Sequence, residues 1–127
     1  MSGSLDKIDI AKDLEICPRE ILEATNKEVE TFVLFKNAEI DRRNEFNKEL
    51  LKIAAKNIHE KSEGTKGKLK DEMRAEAEQS MYERDLELIN LEAQWKSAQN
   101  ERQYWRDKFA SAKYKTKLVT NDYGVDL

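Results

Sequence analysis

The chain is poor in residues that interrupt a helix. Its 127 residues include one proline and four glycines. No apolar run approaches the roughly 18 residues that a membrane-spanning helix needs, and no secretory leader is recognisable, so we expect a cytoplasmic protein without a membrane partner. Cys17 is the single cysteine, which excludes an intramolecular disulfide and suits a reducing compartment.

Residue patterns typical of catalytic sites are equally scarce. The lone histidine, His59, lies in "HEKSE", which lacks the second histidine of a zinc-binding helix motif. The chain has no glycine-rich phosphate loop, nucleophile elbow or Cys/His pair. Asp6, Asp9 and Asp13 share a face if their segment is helical, but three carboxylates alone are a poor metal site. We therefore expect no enzyme activity, metal or cofactor.

The composition is that of long helices. Hydrophobic residues make up 39% of the chain and charged residues another 39%, a balance typical of coiled coils. So little apolar content favours a homo-oligomer, because one chain alone struggles to build a closed core. The net charge of −3 argues against a uniformly cationic DNA-binding protein, although local basic clusters can still bind nucleic acid.

Three regions are predicted along the chain. Residues 1–17 form an N-terminal arm whose apolar residues fit no single period, so it is either a short helix or an extended arm. Residues 18–120 form a helical hairpin domain, and Pro18 suits the first turn of its first helix, where a missing N–H costs nothing. Residues 121–127 form a flexible tail with a turn signal at Asn121–Gly124.

The first helix of the hairpin is predicted from Pro18 to about Lys61. Gly64 and Gly67 then break the pattern, so residues 61–68 are predicted to be a loop. The apolar stripe of this helix, which recurs at helical spacing, consists of Leu22, Val29, Phe32, Val33, Ile40, Leu50, Leu51, Ile53, Ala54 and Ile58.

The second helix, predicted from about Lys68 to Leu118, carries the clearest periodicity. Its residues alternate in steps of four and three, as in the a/d seam of a coiled coil. A flanking apolar row can meet a neighbouring subunit. We therefore expect an all-α protein: a long antiparallel helical hairpin with a coiled-coil second helix, assembled as an oligomer. The seam is Ala77, Met81, Arg84, Leu88, Leu91, Trp95, Ala98, Arg102, Trp105, Phe109 and Ala112, and the flanking row is Tyr82, Leu86, Ile89 and Ala93.

The end of this helix, which we call the C-terminal run (residues 102–117), combines cations with aromatic rings. Trp105 and Phe109 fall on the seam, whereas Tyr104 and Tyr114 lie off it. Exposed rings beside cations suit single-stranded nucleic acid, because bases stack and phosphates pair with lysine. The alternative is that the cations neutralise the acidic start of the first helix or complement the helix dipole. The cations are Arg102, Arg106, Lys108, Lys113, Lys115 and Lys117.

A second basic group, which we call the tip cluster, surrounds the predicted loop. Only Glu60 and Glu63 oppose it, so its field is less cancelled than that of the C-terminal run. It is a candidate phosphate-binding surface, and the alternative is a lysine-rich loop that only aids solubility. Its members are Lys52, Lys56, His59, Lys61, Lys66, Lys68 and Lys70.

Several stretches resemble the UvsY-like recombination mediators of tailed phages. The resemblance lies in "DLEI" at residues 13–16, in "NKELLKIAAKNIHEKSEG" up to the glycine loop, and in "YERDLELINLEAQWKSAQNERQYWRDKF". It covers roughly residues 13–120 and is one of layout. The sequence departs from the family at "HEKSEG", where the family often has an aromatic pair and a glycine.

The resemblance implies a phage-encoded accessory protein of the host cytoplasm. Such proteins form rings of helical hairpins, bind single-stranded DNA and contact a RecA-type recombinase and a single-strand-binding protein. The DNA-contacting positions of the family match Lys52, Lys56 and Lys61 here. Our first hypothesis is therefore a recombination mediator. The second is a coiled-coil adaptor that binds a partner helix through Tyr82, Leu86 and Ile89 without nucleic acid.

Overall fold

The chain is helical throughout its described part. A computed structural model describes the backbone of residues 3–122 and the side chains of residues 7–120. It contains helices α1 (Gly3–Ser62), α2 (Lys70–Gln79) and α3 (Tyr82–Asp122), and no strand occurs among these residues. The prediction of an all-α fold is confirmed. Of the predicted tail, residues 121–122 belong to α3, and residues 123–127 lie outside the described part.

The predicted start of the first helix at Pro18 is wrong. Helix α1 begins at Gly3 and contains Pro18 in its interior, so the predicted arm is helical and continuous with the hairpin helix. Proline lacks an N–H and its ring crowds the preceding turn, which costs a helix interior about 3 kcal/mol. Packing around the site offsets this cost, since Cys17 is fully buried and Leu14 and Ile21 are half-buried.

The chain divides into two compact units. The first unit combines residues 1–31 with 94–127, and the second comprises residues 32–93. In the first unit Asp13 pairs with Lys108 and Glu28 with Arg102, so its two helix segments run antiparallel. In the second unit Arg42 pairs with Asp85 and Glu45 with Arg84, on the segments that face each other there.

The second unit has a small apolar core where α1 meets the α2–α3 junction. Phe46 and Ile53 from α1 cluster with Ala77 and Met81, and Leu50 and Met73 pack against them. Most residues of the predicted apolar stripe of the first helix are not part of this core. Besides Ile53, which is buried, and Leu50 and Ala54, which are half-buried, its members are exposed: Leu22, Val29, Phe32, Val33, Ile40, Leu51 and Ile58.

The first unit is closed by small side chains. Cys17 and Ala24 from α1 and Ala98 and Ala112 from α3 are all at most 3% exposed. Small residues at these positions let helices approach closely, because packing distance depends on the side chains at the contact. Burial raises the pKa of the Cys17 thiol above its ordinary value, since the thiolate is desolvated there, and Asp13 adds to the effect.

The predicted second helix is interrupted at Ser80 and Met81. The Met81 N–H donates to the Glu78 carbonyl at 3.1 Å, a tighter turn than the α-helical pattern, and the Ser80 hydroxyl donates to the Ala77 carbonyl at 2.7 Å. Serine hydroxyls that bond nearby carbonyls compete with the regular helical pattern. The interruption coincides with burial of Met81, which is 2% exposed in the core of the second unit. Residues 70–79 therefore form a separate helix.

Candidate nucleic-acid interface

The tip cluster lies where α1 ends in a defined cap. Gly64 adopts a φ of +85°, the left-handed conformation that glycine accepts without strain. The Thr65 N–H donates to the Glu60 carbonyl at 3.0 Å and the Gly64 N–H to the Lys61 carbonyl at 3.1 Å. This pair of bonds is the Schellman motif, which satisfies the last carbonyls of a helix. The cap confirms the predicted break at Gly64.

A buried amide holds the connection between α1 and α2 in place. Asn57 is 6% exposed, and its Oδ1 accepts the Lys68 backbone N–H at 2.6 Å. Its Nδ2 donates to the Lys68 carbonyl at 3.3 Å. Gly67 packs so closely that an added Cβ would lie 2.7 Å from Asn57 Oδ1. The connection that carries Lys66 and Lys68 is therefore tied to the last turns of α1.

Most cations of the tip cluster are exposed and without an ion pair. This holds, within the described part of the chain, for Lys52, Lys56, Lys61, Lys66 and Lys70. Lys68 differs, because its ammonium binds the Glu76 carboxylate, and that hydrogen bond raises the pKa of Lys68. His59 Nε2 lies 3.2 Å from Glu63 Oε1. The remaining lysines present a positive field that carboxylates of this unit do not neutralise by contact.

The C-terminal run is divided between paired and unpaired cations. Arg102 pairs with Glu28, and Lys108 Nζ lies 3.7 Å from Asp13 Oδ1, a proximity that raises the pKa of Lys108. The predicted neutralisation by the acidic start of α1 therefore holds for these two side chains. The others are exposed and form no ion pair among the described residues: Arg106, Lys113, Lys115 and Lys117.

The aromatic rings of this run separate into two groups. Trp105 and Phe109 are half-buried on the seam, whereas Tyr104 and Tyr114 are 56% and 64% exposed. Tyr104 packs edge-on against Trp105, with 5.1 Å between ring centroids. Lys108 Nζ lies 5.3 Å from the Trp105 centroid and 5.8 Å from that of Tyr104. A ring with a cation beside it is an element of a base-stacking surface.

The seam of the second helix lies on the inward side of each unit. Its apolar members Leu88, Leu91 and Trp95 are half-buried, and the flanking Tyr82, Leu86 and Ile89 are exposed. Its two arginines contact carboxylates of α1: Arg84 binds Glu45, and Arg102 binds Glu28. Glu28 belongs to the acidic start of the first helix, which was predicted to neutralise the C-terminal run, whereas Glu45 was not predicted as a partner. An arginine at a seam position was the available signal, because a half-buried cation requires an anion.

Two further observations on the described residues concern membrane spans and metal sites. No described helix combines the length and apolar character that crossing a membrane requires. Among the described side chains, no group of three or more histidine, cysteine, aspartate or glutamate residues is arranged to hold a metal ion.

Comparison with known proteins gives no relative. No family model matches the chain, and neither a curated protein nor a solved structure does. The resemblance to UvsY-like mediators therefore stays a prediction from the sequence.

Proposed function

We propose that this protein binds single-stranded DNA and serves as a recombination mediator that helps to load a RecA-type recombinase. The observation that supports the proposal is the tip cluster, in which Lys52, Lys56 and Lys61 are exposed on α1 without ion pairs. Lys66 and Lys70 extend the same charge across the connection to α2. Phosphates attract such lysines regardless of base sequence, as a mediator requires.

The mechanism is binding without chemistry. Each chain contributes weak phosphate contacts at its tip cluster, and an oligomer sums them along one strand. The unpaired cations of the C-terminal run, Arg106, Lys113, Lys115 and Lys117, provide a second set of contacts, and Tyr104 and Tyr114 provide exposed rings for bases. A recombinase and a single-strand-binding protein are the protein partners of this proposal.

Charge reversal at the tip cluster tests the proposal. The variant Lys56→Glu with Lys61→Glu places carboxylates where the unpaired ammonium groups stand. We expect its affinity for a labelled single-stranded oligonucleotide to fall at least about tenfold at low salt, because two attractive phosphate contacts become repulsive. Circular dichroism checks that helicity is unchanged, since both side chains are exposed.

A matched control separates local contact from net charge. Lys12→Glu with Arg19→Glu makes the same charge change at two exposed positions of the same helix. We expect this control to retain most of the affinity. Equal losses of affinity in the two variants would show that only the net charge of the protein matters. Unchanged binding by the tip variant would refute the assignment of DNA binding to the tip cluster.

A second function is favoured by a different observation. Tyr82, Leu86 and Ile89 on α3 are 67%, 49% and 65% exposed, and one exposed apolar row on a helix suits a partner helix. In this alternative the protein is a coiled-coil adaptor that binds another protein and no nucleic acid. Absence of DNA binding by the wild-type chain at low salt would favour it.

A further inference from the structure

The outer face of α1 carries a row of uncharged residues at coiled-coil spacing. Between residues 33 and 58 the row advances in alternating steps of four and three, although charged side chains fill much of the intervening sequence. A row that repeats in this way is the signature of a helix seam. We call it the outer row, and it consists of Val33, Asn37, Ile40, Asn44, Asn47, Leu51, Ala54 and Ile58.

The outer row is not used by packing within the second unit. The residues that face inward on this segment include Phe35, Ala38 and Ile53, each at most 9% exposed. In contrast, the apolar members of the outer row stay open to solvent: Val33 is 48% exposed, Ile40 51%, Leu51 71% and Ile58 70%. Its asparagines are exposed as well, and Ala54 is half-buried. Helix α1 therefore has one occupied face and one open face.

The row is complementary to itself when two copies run antiparallel. If Asn44 of one copy lies opposite Asn47 of the other, every row position meets a row position. Val33 then opposes Ile58, Ile40 opposes Leu51, and Asn37 opposes Ala54 of the second copy. The central asparagines can hydrogen-bond across the pair, and a polar residue at a seam position is a known means of fixing register.

Charges beside the row favour the same arrangement. Asp41 and Lys48 flank it, and neither forms an ion pair within the described residues. In the antiparallel register, Asp41 of each copy lies opposite Lys48 of the other, so the attraction occurs twice by symmetry. A parallel pairing instead sets Lys36 near Asp41 but places the cations Arg43 and Lys48 beside each other. The antiparallel pairing contains no such like-charge contact.

We propose that the outer row of α1 is a homodimer interface, occupied by the outer row of a second copy running antiparallel. The proposal names the surface through which the chains associate, and the proposed function requires such association. It rests on the proposed function only for the biological role of the dimer. The α3 row of Tyr82, Leu86 and Ile89 takes no part in this dimer interface. The tests below contain no DNA, so their result is independent of DNA binding.

Sedimentation equilibrium on charge variants tests the pairing. The wild-type chain is expected to be dimeric at micromolar concentration. Asp41→Lys alone places lysine opposite Lys48, and Lys48→Asp alone places aspartate opposite Asp41. Each single variant should dissociate about tenfold more readily, because two attractive pairs become repulsive. The double variant, and an equimolar mixture of the two single variants, should both recover the wild-type affinity.

The mixture distinguishes the antiparallel register from every other. In a parallel dimer position 41 lies near Lys36 and position 48 beside Arg43, so Lys48→Asp would strengthen the dimer and the mixture would form no preferred heterodimer. A monomeric wild-type chain, or single variants that stay fully dimeric, would also overturn the proposal.

Apolar contact is tested at the row itself. Leu51→Glu should abolish the dimer, whereas Ile89→Glu on the exposed row of α3 should leave it intact. Both residues are at least 65% exposed, so each chain should keep its helicity by circular dichroism. The opposite pattern, with loss only in Ile89→Glu, would move the interface to α3 and refute the assignment.

Discussion

Asn57 shows how a single side chain determines the geometry of the tip cluster. Its amide binds both polar groups of the Lys68 backbone, and it is buried where the connection between α1 and α2 turns back. A buried amide without partners costs free energy, so its two bonds favour one conformation of the connection over others. The positions of Lys66 and Lys68 therefore depend on a residue that carries no charge.

Replacing Asn57 with alanine should destabilise the protein. The change leaves the Lys68 N–H without its acceptor in a part-buried position, and such a loss costs about 1–3 kcal/mol. Urea denaturation followed by circular dichroism measures the free energy of unfolding. Asn26→Ala is the matched control, since Asn26 is exposed on the same helix and should tolerate the change. Equal stability of the two variants would show that the Asn57 bonds contribute nothing.

At the same scale, the sequence predicted some residues and not others. The tip lysines could be recognised from composition, because many cations surrounded few acids in one stretch. The structural role of Asn57 could not be recognised, because the sequence does not show whether an asparagine in a helix is exposed or buried. Glu45, the partner of Arg84, escaped prediction for a related reason: several carboxylates of α1 were available, and only the packing selects one. Glu28 lies in the acidic start of the first helix, which was predicted to neutralise the C-terminal run, and the packing selects it for Arg102.

At the scale of elements, α1 is a helix with two usable faces. The predicted stripe collected the large apolar residues of both faces, because hydrophobicity alone does not tell which face packs within the chain. The inward face uses smaller residues such as Cys17, Ala24 and Ala38, together with Phe35 and Phe46. The larger Leu22, Val33 and Leu51 are left outside. The periodicity of α3 was easier to interpret, because its inward row is more regular than the inward row of α1.

Helix boundaries followed local chemistry only in part. The sequence predicted that the first helix ends near Gly64, and the structure adds a Schellman cap there that uses glycine's access to positive φ. The passage of α1 through Pro18 and the interruption at Ser80 were not predicted. Both depend on burial of a neighbour, Cys17 in one case and Met81 in the other, and burial is a tertiary property.

Substitution of Pro18 by alanine should stabilise the protein. Alanine restores the missing N–H donor within α1 and removes the ring that crowds the preceding turn. We expect the free energy of unfolding to rise by about 1–3 kcal/mol, measured by urea denaturation. Lys12→Ala, at another exposed position of α1, is the control and should change stability little. A destabilised or unchanged Pro18→Ala variant would indicate that α1 is not continuous at this residue.

At the scale of the whole molecule, charge distribution matters more than net charge. The chain carries a net charge of −3, yet unpaired cations gather in the tip cluster and in part of the C-terminal run. Ion pairs within each unit use the acids that face the seam, namely Glu28 with Arg102 and Glu45 with Arg84. The helical fold class followed from composition and spacing. The proposal of DNA binding rests on these exposed cations.

The salt dependence of binding to single-stranded DNA tests the central claim most directly. Fluorescence anisotropy of a labelled oligonucleotide is measured at about 50 and 200 mM salt, with duplex DNA alongside. If the five unpaired tip lysines each contact a phosphate, affinity should fall roughly 100-fold across this range. We predict that steep loss, together with a preference for the single strand. No binding at low salt, or binding that salt does not weaken, would contradict the account.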